Sequence, residues 1–216
     1  MKRTLLLVAC VISFITAPAW AQINYSGPSR QISAEGAFSG CVGCSVDVEQ
    51  SNALGLWSEV AEAFYSDMNG FGEARTSITS NLDASEMSLA GDFSADAGGD
   101  GYFGRGISML TTTFSLDSDR YYLSQLSSSG ATEVVTFAFV TSPGGFPVTS
   151  DPNSQGILTS GSYSLSVLFR VTPAGEGEYS YRLTIVPEPA SALLVALCVW
   201  PACCRGAGRT SVAKVC

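Results

Sequence analysis

The chain contains no histidine. That absence removes the commonest general base, the commonest zinc ligand and the central member of a Ser-His-Asp relay together. Positive charge is scarce as well: residues 22–186 hold no lysine and six arginines against eighteen acidic residues, a net charge of −12. Phosphate recognition works by neutralising basic side chains, so this segment repels nucleic acid and anionic lipid headgroups, and no nucleic-acid partner is expected. No fixed-period repeat is present, and no pattern nominates a cofactor. The 216 residues suffice for one domain with signals at its ends.

Apolar character is concentrated at those ends. Lys2 and Arg3 open the chain, Leu5 to Ile15 is apolar apart from Ser13, and Ala19 and Ala21 put small residues where a signal peptidase needs them. Residues 1–21 therefore read as a signal peptide, cleaved after Ala21. Leu7-Val8-Ala9-Cys10 resembles a lipoprotein box, but the apolar run continues past that cysteine, and an uncleaved anchor is disfavoured by its length. At the other end, Ala190 to Cys204 is apolar except for Ser191. As a helix it would cover roughly 22 Å against about 30 Å of hydrocarbon, enough to enter a bilayer but not to fit it well. Arg205, Arg209 and Lys214 follow. With basic residues outside both apolar runs, both ends point inward and the segment between them faces outward.

Between domain and apolar run stands Pro187-Glu188-Pro189. Each proline fixes its own φ and biases the preceding residue to extended geometry, so this stretch presents an acidic, extended peptide ahead of a helix. The tripartite order of Pro187, Glu188 and Pro189, an apolar helix, and the basic stop Arg205 and Arg209 resembles the PEP-CTERM sorting signal of exported bacterial proteins. The resemblance implies a translocated protein, briefly tethered in the inner membrane through the C-terminal helix. It also implies exosortase as the processing partner, besides the secretion translocon and signal peptidase. The parts are then 1–21, an exported domain 22–186, the sorting signal 187–209 and a tail 210–216. The tail after the arginines and Pro201 within the apolar run depart from the family pattern.

The exported segment reads as mainly β. Thr132 to Val140 is β-branched and aromatic and ends in Ser142-Pro143-Gly144-Gly145; Tyr163 to Val171 and Tyr179 to Ile185 alternate with period two. The last two read as a terminal hairpin, and Asp117-Ser118-Asp119 as a hairpin turn between Phe114-Ser115-Leu116 and Tyr121-Tyr122-Leu123. With Ile32 to Phe38, Ser77 to Leu82, Met87 to Phe93, Ile107 to Leu116 and Tyr121 to Leu126, eight or nine short strands predict an antiparallel β-sandwich or jelly roll. One segment is ambiguous. Leu56, Trp57, Val60, Ala61, Phe64 and Tyr65 fall on one helical stripe, whereas the resemblance to other exported proteins with this tail implies a tryptophan-led strand.

Three constellations carry possible chemistry. Cys41-Val42-Gly43-Cys44 reads as a local disulfide in an oxidising compartment, contributing on the order of 2 kcal/mol or less because its loop is short. A redox pair normally needs a helix start, which the flanking residues do not supply, and half of a metal site is the remaining alternative. Asp92, Asp96 and Asp100 in an acidic, glycine-bearing loop are weak calcium candidates, with a solvated turn preferred and no metal expected. Tyr102, Phe103, Tyr121, Tyr122, Tyr179 and Tyr181 are candidate sugar-stacking rings against a reading as core. Two functions of different class follow. One is an exported, non-enzymatic surface or matrix protein associated with extracellular polysaccharide; the other is a carbohydrate-binding or carbohydrate-active module delivered the same way.

Overall fold

The computed structural model describes residues 23–39, 44–171 and 175–186. They form twelve strands and, among the described residues, no helix: β1 (Asn24–Phe38), β2 (Ser45–Ser51), β3 (Gly55–Ser66), β4 (Phe71–Leu82), β5 (Glu86–Gly98), β6 (Tyr102–Leu116), β7 (Arg120–Ser128), β8 (Thr132–Ser142), β9 (Pro147–Thr149), β10 (Gln155–Leu158), β11 (Gly161–Val171) and β12 (Gly175–Val186). The strands make two six-stranded antiparallel sheets, ordered β2-β1-β6-β11-β8-β9 and β10-β7-β12-β5-β4-β3. The β-sandwich expectation holds; the strands are more numerous and mostly longer than the sequence suggests.

Alternation explains the layering. In β6 every second residue from Tyr102 to Leu116 is buried, and in β11 Tyr163, Leu165, Val167, Phe169 and Val171 point inward while serines and Arg170 point out. Tyr179, Tyr181, Leu183 and Ile185 of β12 do the same from the facing sheet. The two strands are nevertheless not a hairpin. β11 pairs with β6 and β8, and β12 with β5 and β7, so the chain crosses from one sheet to the other between them. The Asp117–Asp119 turn is a second such crossing, from β6 to β7, with Asp119 accepting the Ser160 N–H at 2.8 Å. Two apolar faces must close over one core, and a chain with short connections can satisfy that by changing sheets as well as by folding back.

The ambiguous segment is strand β3, in register with β4 over its whole length, from Gly55↔Leu82 to Ser66↔Phe71. It is an edge strand, and two of its outward N–H groups are covered from the neighbouring sheet: Glu62 N–H donates to Asp47 and Phe64 N–H to Ser45, both on β2. Covering an edge this way removes hydrogen-bond donors that would otherwise invite another strand.

A buried arginine secures the same side. Arg30 of β1 has 0 % exposure, donates to the Gly55 and Ala53 carbonyls at 2.7 and 2.5 Å and to Ser80 Oγ at 3.1 Å, and lies 5.4 Å from the Trp57 ring centroid. Among the described residues no carboxylate is within ion-pair range of it. Burial lowers its affinity for the proton, and carbonyl dipoles and the ring face replace a counter-ion.

Candidate functional site

The outer face of the β10-β7-β12-β5-β4-β3 sheet is built from small and acidic side chains. Its central rung reads Ser127, Ser180, Ala90, Thr79, Ser58 across five strands, with the Ser58 and Thr79 hydroxyls 3.2 Å apart. The next rung opposes Glu178 to Asp92, and a later one opposes Glu73 to Asp96. Like charges directly opposite each other cost a few tenths of a kcal/mol up to about 1 kcal/mol. Asp92 is partly compensated by Ser77, whose hydroxyl donates to its carboxylate at 2.6 Å and accepts its N–H at 3.1 Å. Arg75, between these rungs, pairs at 3.0 Å with Glu62.

Four open depressions of 330 to 630 Å³ mark this face. One, of 500 Å³, lies at the end of the sheet between Phe64, Asp67, Phe71, Glu73 and Asp96. Asp67 accepts the Tyr102 hydroxyl and the Asn69 N–H, and these bonds hold its carboxyl below the usual range. Burial and the same bond push the Tyr102 phenol up to about 12. Tyr65 stacks on Tyr102 at 6.3 Å and Phe38 tilts against it at 5.0 Å, so the loop residue Asp67 is held by a small aromatic cluster.

The aspartates expected in one loop are distributed differently. Asp92 and Asp96 belong to β5, on one face and roughly 13 Å apart along the strand. Asp100 lies in the following turn. Phe93 and Ala95 are buried between them, and that alternation draws the segment into the sheet instead of around an ion. Among the described residues no cluster of three metal-ligating side chains forms. Of the candidate stacking rings, Tyr102, Tyr122, Tyr179 and Tyr181 are buried core residues, and Phe103 and Tyr121 are half-buried. Among the described residues, the exposed ring on this face is Phe64, which the sequence offers only as part of a helical stripe. Arg30 was also hidden in the sequence, where Ser29-Arg30-Gln31 reads as an ordinary polar stretch.

Ala19, Ala21, Cys41, Pro187, Glu188, Pro189, Arg205 and Arg209 lie outside the described residues; Cys44 stands just ahead of β2. No helix among the described residues is long and apolar enough to cross a membrane. Compared with protein-family models, curated proteins and solved structures, the chain finds no match.

Proposed function

We propose that this is an exported, non-enzymatic surface or matrix protein. Its sandwich is delivered by a signal peptide at 1–21 and a PEP-CTERM-type sorting tail at 187–209, processed by exosortase, and serves in contact with extracellular polysaccharide. The observation that carries this reading is the β-sandwich itself: the strands from Asn24 to Val186, lying in the sequence between the proposed signals, form two antiparallel sheets around one core. Mass spectrometry of secreted material is expected to find Gln22 as first residue and a C-terminus near Pro187 to Pro189. Mature protein retaining Cys216 would overturn the sorting reading.

A second reading, a carbohydrate-binding or carbohydrate-active module, is favoured by one feature: exposed Phe64 beside Asp67, Glu73 and Asp96 gives a ring and acceptors around one shallow depression. A glycan array distinguishes the two, since binding that Phe64→Ala abolishes would support the second.

A further inference from the structure

We infer that the sandwich stands on a lipid surface by the end that carries its 83–85 turn, and presents the 67–70 turn at the opposite end away from it. The inference rests on the tethered-precursor reading above. Its first support is where the chain enters and leaves the fold. Ile23 N–H donates to the Ala84 carbonyl at 3.0 Å, and Ile185 N–H donates to the Ser85 carbonyl at 2.8 Å. The first and last described core residues therefore bond to consecutive residues of one turn, so residues 23 and 185, which precede and follow the rest of the fold in sequence, lie at the same end of it.

The second support is what surrounds that end. Tyr25, whose hydroxyl donates to the Asp83 carbonyl at 2.7 Å, lies on a rung that continues through Phe114 and Tyr163 to Thr141. Thr141 N–H bonds the Phe146 carbonyl at 2.8 Å, which brings Phe146 to the same end with 72 % of its surface exposed. Ile157, 60 % exposed, is level with Val186 through Tyr121, which pairs with both. These exposed apolar side chains lie at the end that holds residues 23 and 185, as expected of a contact with the bilayer interface. The nearby carboxylates are Asp83, which accepts the N–H groups of Ser85 and Glu86; Glu86, paired with Arg182; Asp119, which accepts the N–H of Ser160; and exposed Asp117. Their charge disfavours anionic headgroups, so the surface that fits is zwitterionic lipid.

The opposite end is remote. The 67–70 turn is closed by Asp67 N–H on the Gly70 carbonyl and lies beside the far end of β5, where Phe71 pairs with Gly98. β5 has thirteen residues and so spans roughly 40 Å.

The test uses the full-length chain in phosphatidylcholine vesicles, with the photo-crosslinking residue p-benzoylphenylalanine replacing either Phe146 or Met68; both side chains are exposed, at opposite ends. The expected result is that both variants float with the vesicles and that only the position-146 variant forms lipid adducts on illumination. Equal adducts at both positions, adducts at 68 alone, or flotation with none at 146 would overturn the orientation. Failure of the unsubstituted chain to float would instead overturn the tethering reading on which it rests.

Discussion

The two sides of the sandwich are filled in opposite ways. Where β1, β3 and β4 face one another near the 67–70 turn, the core is alanine and glycine: Ala34, Ala61, Ala63 and Ala74 are buried, and Gly36, Gly72 and Gly104 bring one sheet's backbone against the other, while Ile32, Ile78 and Leu82 fill the same strands further along. A Cβ on Gly36 would collide with the Gly72 carbonyl, and one on Gly104 with the Glu73 carbonyl. Where β8, β11, β12 and β7 face one another, the space holds rings: Phe114 stacks on Tyr163 at 5.5 Å, Tyr122 meets Phe139 edge-on at 5.6 Å, and Phe169 lies 4.8 Å from Tyr179. Ordinary facing sheets stay about 10 Å apart. The sandwich is thus a wedge, thin where backbones touch and thick where aromatics separate them. Its thin side is intolerant of added atoms and its thick side of removed ones.

Four experiments break or sharpen that contrast, taken from the largest expected effect. Phe139→Ala on the thick side, emptying a fully buried site, is expected to cost about 4 kcal/mol in urea denaturation. Gly104→Ala, adding a single methyl on the thin side, is expected to cost about 3 kcal/mol because a backbone carbonyl must move. If Gly104→Ala were neutral, the sheets would not touch there and the wedge would be wrong. Arg30→Ala leaves the Gly55 and Ala53 carbonyls without their donor, with an expected loss of about 2 kcal/mol by the same measurement.

The smallest effect is a pH dependence. Unfolded phenols ionise near 10, whereas Tyr102 holds its proton to about 12 and burial likewise raises Tyr179 and Tyr181. The unfolded chain releases more protons in that range, so the stabilisation is complete below pH 10 and is lost as pH rises towards 12. Denaturation midpoints measured across this range should fall, and Tyr179→Phe with Tyr181→Phe should flatten the slope. Because both rings belong to the thick side, an unchanged slope would mean that their hydroxyls are hydrated in the fold.

Much of the thick side was legible in the sequence, since Tyr163 to Val171, apart from Leu168 on the outward face, and Tyr179 to Ile185 alternate and every inward residue is buried. Their partners were not legible. Period two says which face is inward, but it is the same whether a strand folds back on its neighbour or crosses to the other sheet. The thin side was harder to read because its signals are weak. Alanine and glycine have little hydrophobic contrast, and in β3 the apolar residues Leu56, Val60 and Phe64 recur every fourth position, a spacing that satisfies a strand face as well as a helical stripe. The candidate depression shares that obscurity, since Phe64, Asp67, Glu73 and Asp96 converge only when β3, β4 and β5 are laid side by side.

By itself the sequence determined the strand-rich class of residues 22–186, the inward faces of the longest strands and the acidic, lysine-free surface, because period and charge are local properties of the chain. Tertiary structure alone decided that β3 is a strand, that β11 and β12 belong to opposite sheets, that Arg30 is buried, and that residues 23 and 185 meet at one turn. Each of those depends on which distant backbone supplies the hydrogen bonds, and no local pattern carries that information.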